Sequence, residues 1–159
     1  MNKKEEASNL EKKINDAFKL FDHTGSDAVD VREIGTIIRS LGCCPSESEL
    51  QEILVQVEDQ EMTGSVKLNR FLPVMAEILQ ENRLQGAEPE LLLAALKTFD
   101  FEGKGTVDPE RLRELLTTEG EAFSQEEMDD MLAAAVDPNT SLIPYEDFVP
   151  KLMVKLIFE

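Results

Sequence analysis

Residues that carry chemistry are scarce in this chain. It has one histidine, His23, and its only cysteines are the neighbours Cys43 and Cys44. A lone histidine leaves a zinc site or a histidine-dependent catalytic triad nothing to build on. His23 itself sits at a position expected to point to solvent. Adjacent cysteines cannot form an unstrained disulfide, so both are expected as reduced thiols of a cytosolic-type compartment. Cys44 has no nearby base to activate it. No apolar run is long enough to span a bilayer, and the N-terminal "MNKKEEASNLEKK" lacks the apolar stretch of a signal peptide. Aromatic residues make up only 6%, so the core must come mostly from Leu, Ile, Val, Met and Phe. Basic residues are few as well: 16 against 33 acidic ones, a net charge of −17. Such a field repels nucleic acid and anionic lipid and attracts cations or basic peptides. Neither a nucleic-acid nor a membrane partner is expected. An enzyme would find no nucleophile–base pair, phosphate loop or metal cluster.

What is present is a repeat. A chain of 159 residues makes one domain or two small ones. Three helix starts carry a capping box, in which Ser accepts from a backbone N–H and Glu reaches back. These are Ser8 with Glu11, Ser46 with Glu49 and Ser124 with Glu127. Pro89 suits the first position of a fourth helix. Apolar residues follow at helical spacing, Leu10, Ile14, Phe18 and Phe21 in the first helix and Leu50, Ile53, Leu54 and Val57 in the next. Each helix runs into a short polar loop and then another helix. The loops begin near residues 22, 59, 100 and 136, so the unit repeats about every 36 to 41 residues. The expected fold is all-α: four helix–loop–helix units of EF-hand type in two lobes, 1–83 and 84–159. Gly86 marks a helix stop near the boundary "ENRLQGAE". Val29, Val66, Val107 and Ile143 recur near the loop ends. They are expected to pair, Val29 with Val66 and Val107 with Ile143, in two short β-ribbons.

A calcium loop of this length takes oxygens from positions 1, 3, 5, 9 and 12 and from the backbone carbonyl at position 7. Position 6 needs a positive φ, which favours glycine. Loop two ends on Arg70 where a bidentate glutamate belongs, and has Lys67 at position 9. Loop three has Lys104 at position 5 and Arg111 at 12. Loop four starts on Val136, has Pro138 at position 3 and no glycine. None of these three suits calcium. Loop one, "FDHTGSDAVDVRE", keeps Asp22, Thr24, Ser26, Asp30 and Glu33 at ligand positions, with the Ala28 carbonyl at position 7. Asp27 replaces the glycine and must turn left-handed, which Asp tolerates better than most. Two readings stay open. Loop one holds a single weak calcium ion, or Asp30 and Glu33 merely form the N-cap and N3 partner of the next helix.

Pro73 and Pro150 fall in the same register of the exit helices of units two and four, so these helices start late, capped by Asn69 and Asp147, or kink. Met75, Leu79, Met128, Met131, Met153 and Leu156 lie on apolar faces that fill a lobe's own core or line a groove. The C-terminal "VPKLMVKLIFE" carries more apolar residues than one helix face can hide. An acidic chain with such faces suits a basic amphipathic helix as its partner, and no self-association is needed.

The stretches "FDFEGKGTVDPERLREL" and "LGCCPSESELQEIL" resemble the calmodulin superfamily. The stretches "FDHTGSDAVDVREIGTIIRSLGCCPSESEL", "RFLPVMAEIL" and "FSQEEMDDMLAAAVDP" are similar to the EF-hand subunit 8 family of the dynein regulatory complex. The likeness covers nearly the whole chain. It implies a cytoskeletal role in the nexin link of motile cilia and flagella, in the axoneme, where the complex ties neighbouring doublet microtubules. It also implies a grip on a helix of another subunit, of IQ type. The expected function is a non-enzymatic, light-chain-like adaptor that is largely calcium-independent; the alternative is a one-site calcium sensor acting through loop one.

Overall fold

A computed structural model of the chain describes residues 2–153. Its helices are α1 (Lys3–Lys19), α2 (Ile34–Ser40), α3 (Glu47–Val57), α4 (Leu68–Gln80), α5 (Pro89–Lys97), α6 (Pro109–Leu116), α7 (Gln125–Ala135) and α8 (Tyr145–Leu152). Four very short strands lie between them, β1 (Ala28–Asp30), β2 (Ser65–Lys67), β3 (Thr106–Val107) and β4 (Ile143–Pro144). A single 3-10 turn, Val31–Glu33, leads into α2. This is the all-α, four-unit arrangement expected. The antiparallel pairing also has the expected register, Val29 opposite Val66 and Val107 opposite Ile143.

The chain divides into two compact units, one ending at Gly86 and one beginning at Ala87. In unit 1, α4 packs against α1 and α3. The buried side chains include Ile14, Phe18, Ile37, Val57, Phe71 and Met75, with the Phe18 and Phe71 rings tilted at a centroid distance of 5.5 Å. Gly35 sits in α2 because α3 comes close: an added Cβ would lie 3.1 Å from Leu50 Cδ2. In unit 2 the core is smaller, built on Val107, Leu112, Met128, Leu132, Ile143, Tyr145 and Phe148.

Three local expectations are corrected. Ser8 does not start α1. The helix begins at Lys3, with Asn2 as its cap and the Asn2 N–H donating to Glu5 Oε2 at 3.3 Å. Lys3 to Ala7 are good helix formers, so the helix extends past Ser8 to the next available cap. The boxes at Ser46 and Ser124 do form, as does the Pro89 start. Gly86 does not stop α4 either. The helix ends at Gln80, where Asn82 takes φ 51 and the N–H groups of Asn82 and Arg83 donate back to Leu79 and Ile78. That closure needs one left-handed residue, and asparagine supplies it without glycine. Finally, α4 and α8 start at Leu68 and Tyr145, not at Asn69 or Asp147, and carry Pro73 and Pro150 inside them. Both proline rings are exposed, so the carbonyls left without a helical donor can meet water.

Phe71 is fully buried against Phe18. Phe71→Ala is expected to lower the unfolding free energy by about 3–5 kcal/mol in urea titrations, whereas Val55→Ala, at an exposed position of α3, is expected to leave it nearly unchanged.

Candidate functional site

Loop one keeps its shape through Asp22. Asp22 Oδ1 accepts from the Ser26 N–H at 3.2 Å and the Thr24 hydroxyl at 3.4 Å; Oδ2 accepts from the Asp27 N–H at 2.8 Å. The Thr24 and Ser26 hydroxyls lie 2.7 Å apart. Asp27 takes φ 55, the left-handed backbone the frame demands. Partial burial works to raise the Asp22 pKa, but the Asp27 and Ser26 N–H groups and the Thr24 hydroxyl outweigh it and hold the carboxyl below its usual range. Three of the expected ligands, Asp22, Thr24 and Ser26, therefore converge.

The remaining two side chains do not join them. The Asp30 carboxylate accepts from the Arg32 backbone N–H at 2.8 Å and from its guanidinium at 2.9 and 2.8 Å. The fork of guanidinium donors matches the two carboxylate oxygens, and it holds the Asp30 carboxyl down at about 2. Glu33 ends the 3-10 turn and precedes α2 without reaching back to Asp30, so the expected reciprocal box is half made. Among the described residues, no three of His, Cys, Asp and Glu gather so that they could hold a metal ion. As folded, loop one presents half of a calcium cage, and its position-9 carboxylate is committed to arginine.

The other loops are closed by their own donors. In loop two, Lys67 Nζ lies 3.5 Å from Asp59 Oδ2, and the Arg70 guanidinium donates to the Gln56 carbonyl at 3.4 Å. In loop three, Asp100 accepts from the Lys104 and Gly105 N–H groups, and Lys104 pairs with Glu102. Arg111 lies over the Phe101 ring, 4.5 Å from its centroid. In loop four, Asp137 closes a turn through the Asn139 N–H, with Ser141 at φ 58. The residues of loops two, three and four do not fit a calcium ion: lysine or arginine stands at ligand positions in the first two, and valine and proline in the last.

The expected docking residues divide. Met75 and Met128 are fully buried in the cores of their own units. Leu79 and Met131 are half-buried at the core edge, Met153 is half-buried, and Leu156 lies outside the described residues. Leu79 borders a cleft of about 270 Å³ in unit 1, with Leu10 and Leu41 beside it and Lys13 and Asp16 at its rim. In unit 2, α5 buries none of its residues fully; Leu91 is 64% exposed, and Leu152 of α8 is 44% exposed. The leucine run "LLLAAL" was the available signal for this face.

No family model matches the chain. Among curated proteins, dynein regulatory complex protein 8 of Mus musculus is 47% identical over 145 residues, 91% of this chain and 88% of that protein. The chain belongs to the dynein regulatory complex protein 8 family. Dynein regulatory complex protein 8 of Chlamydomonas reinhardtii is 35% identical over 147 residues, covering 88% of each chain. Among solved structures, Mlc1p bound to IQ2 of Myo2p, a class V myosin, superposes with a TM-score of 0.69 at 27% identity, over 88% of this chain and 96% of that one. For this member of the dynein regulatory complex protein 8 family, the shared fold thus extends across all four helix–loop–helix units.

The Asp30–Arg32 pair gives a testable titration. Because the folded carboxyl sits at about 2 against an ordinary 3.8, the pair stabilises the fold above pH 3.8 and loses that contribution as pH falls towards 2. In Arg32→Ala the Asp30 carboxyl is expected to titrate higher than in the natural chain, with the residue-32 backbone N–H still holding it partly down, read by carboxyl-carbon NMR. An unshifted midpoint in the variant would show that the guanidinium does not hold Asp30.

Proposed function

We propose that the chain is a non-enzymatic, calmodulin-like subunit of the dynein regulatory complex, located in the axoneme of cilia and flagella. There it clamps a basic amphipathic helix, of IQ type, from another subunit and does so largely without calcium. The observation that carries the reading is the 47% identity to mouse dynein regulatory complex protein 8 along nearly the whole chain. Support for helix binding comes from the fold shared with Mlc1p, a protein solved while bound to IQ2 of a myosin. The chain's charge of −17 gives a basic helix a favourable field. Half-buried Leu79 and Met131 and the exposed Leu91 of α5 give it apolar surface to cover.

Calcium independence rests on the loops. A bidentate glutamate at position 12 is the ligand such sites depend on most, and Arg70 and Arg111 stand there in loops two and three. A second reading, a one-site sensor, keeps one observation in its favour. Asp22, Thr24 and Ser26 are already convergent and Asp27 already left-handed, so only Asp30 and Glu33 must move.

Calorimetric titration of the full chain with calcium, in millimolar magnesium and beside Glu33→Gln, separates the two readings. The adaptor reading expects no saturable heat in either protein. One magnesium-resistant site that the variant loses would make loop one a switch. For the clamp, synthetic IQ-type helices from the other subunits are expected to bind equally with calcium or with chelator, and more weakly as salt rises. No binding to any of them would sink the adaptor reading.

A further inference from the structure

Asp100 opens loop three where the calcium frame places its first ligand, yet both of its oxygens are already in use. Oδ1 accepts the Lys104 N–H at 2.9 Å; Oδ2 accepts the Gly105 N–H at 2.7 Å and the Tyr145 hydroxyl at 2.8 Å. The two amides are local and close the loop on itself. The hydroxyl comes from 45 residues away, from the first residue of α8. Tyr145 is only 4% exposed and belongs to the core of unit 2, so packing aims its ring and hydroxyl at the carboxylate. The bond joins the segment just after α5 to the start of α8, and these two helices pack on each other.

Unit 1 supplies an internal comparison. Asp22 occupies the same frame position but accepts only from its own loop, from Thr24, Ser26 and Asp27. The residue in the place of Tyr145 is Leu68, whose side chain has no donor; only its backbone N–H crosses over, to the Asp27 carbonyl at 2.9 Å. Among the described residues, the hydrogen bonds that join the two loops of unit 1 are therefore backbone ones. Unit 2 adds a side-chain tie between its two hands.

We infer that the Tyr145–Asp100 hydrogen bond is a latch that locks hand three to hand four, so that the chain's own donor fixes this loop pair where the EF-hand frame uses bound calcium. The acceptor is suited to this. Partial burial works to raise the Asp100 pKa, but the Tyr145 hydroxyl and the Gly105, Lys104 and Gly103 N–H groups outweigh it, so the carboxyl lies below its usual range. An ionised acceptor makes the shorter and stronger kind of hydrogen bond. Among the described residues no basic side chain takes the carboxylate: Lys104 pairs with Glu102 and Arg111 stacks on Phe101. The latch rests on the proposed function only for its use, as a reason why unit 2 holds one helix angle without an ion; a helix clamp can exist without it.

Amide hydrogen exchange at Gly105 and Lys104, followed by NMR in the full-length chain with chelator and with millimolar calcium, tests the latch. The proteins compared are the natural chain, Tyr145→Phe, Asp100→Asn and the double variant. Phenylalanine keeps the packing ring and removes only the hydroxyl. In Tyr145→Phe these amides are expected to exchange about tenfold faster, the same with and without calcium. The phenylalanine substitution is expected to cost less in the Asp100→Asn background, where the charge that strengthens the bond is gone. Exchange at the natural rate in Tyr145→Phe, an equal effect in both backgrounds, or protection that rises when calcium is added to the natural chain would each overturn the latch. Should Asp100→Asn fail to fold by circular dichroism, Tyr145→Phe alone decides. Binding of the same IQ-type helices, measured on the same samples, keeps the two ideas apart. Binding retained by an unlatched loop refutes the latch alone; an intact latch with no binding refutes the adaptor.

Discussion

Each unit of this protein is held by a ribbon of two or three residue pairs at its centre. Val29 faces Val66 in one unit and Val107 faces Ile143 in the other, and all four side chains are buried. A loop that leaves one helix and enters another must satisfy its own backbone groups, and here each loop uses its neighbour to do so. The apolar residue at the ribbon then enters the core from the loop side, while the four helices close on it from the other. Which side of each loop faces the core follows from that pairing. A loop that lost its partner would leave unpaired amides and an exposed valine together.

Loop carboxylates in this protein are satisfied by donors within the chain. Asp22 and Asp100 draw in backbone N–H groups of their own loops, Asp30 takes the Arg32 fork, and Asp59 lies near the Lys67 ammonium. These contacts differ in weight. The Lys104–Glu102 pair is largely exposed, and such pairs contribute little once water and salt screen them. The bonds made by buried Tyr145 and by backbone amides are less screened and better fixed. The loops therefore keep EF-hand form through hydrogen bonds, with the ion pairs tuning charge more than shape.

The two units also differ in how completely they hide apolar surface. Unit 1 surrounds Phe18, Phe71 and Met75 on all sides and leaves a cleft beside Leu79. In unit 2, α5 is rich in leucine yet buries no residue fully. Acidic residues outnumber basic ones 17 to 6 from residue 87 onward, against 16 to 10 before it. A leucine-bearing face within the more acidic half has the chemistry that a basic, partly apolar helix would meet.

Much of this was legible in the residues themselves. Helical spacing, the Ser46 and Ser124 boxes, the Pro89 start and the recurring apolar residue at each loop end are short-range signals, and each predicted an element or a pairing that formed. The unsuitable ligands of loops two to four were equally plain, because a cation at a ligand position needs no fold to interpret. Misreadings occurred where two local signals competed. Ser8 offered a cap but lay downstream of good helix formers, and Gly86 offered a stop that Asn82 had already made. What only the tertiary structure decided is the long-range donor: Tyr145 meets Asp100 across 45 residues, whereas Arg32 meets Asp30 through a local turn. By itself the sequence determined the helices, the loops and their pairing, since those follow from residue type at fixed spacing. The Tyr145–Asp100 pairing depends on a distance that only packing sets, whereas Asp22 and Asp30 find their donors within their own loop.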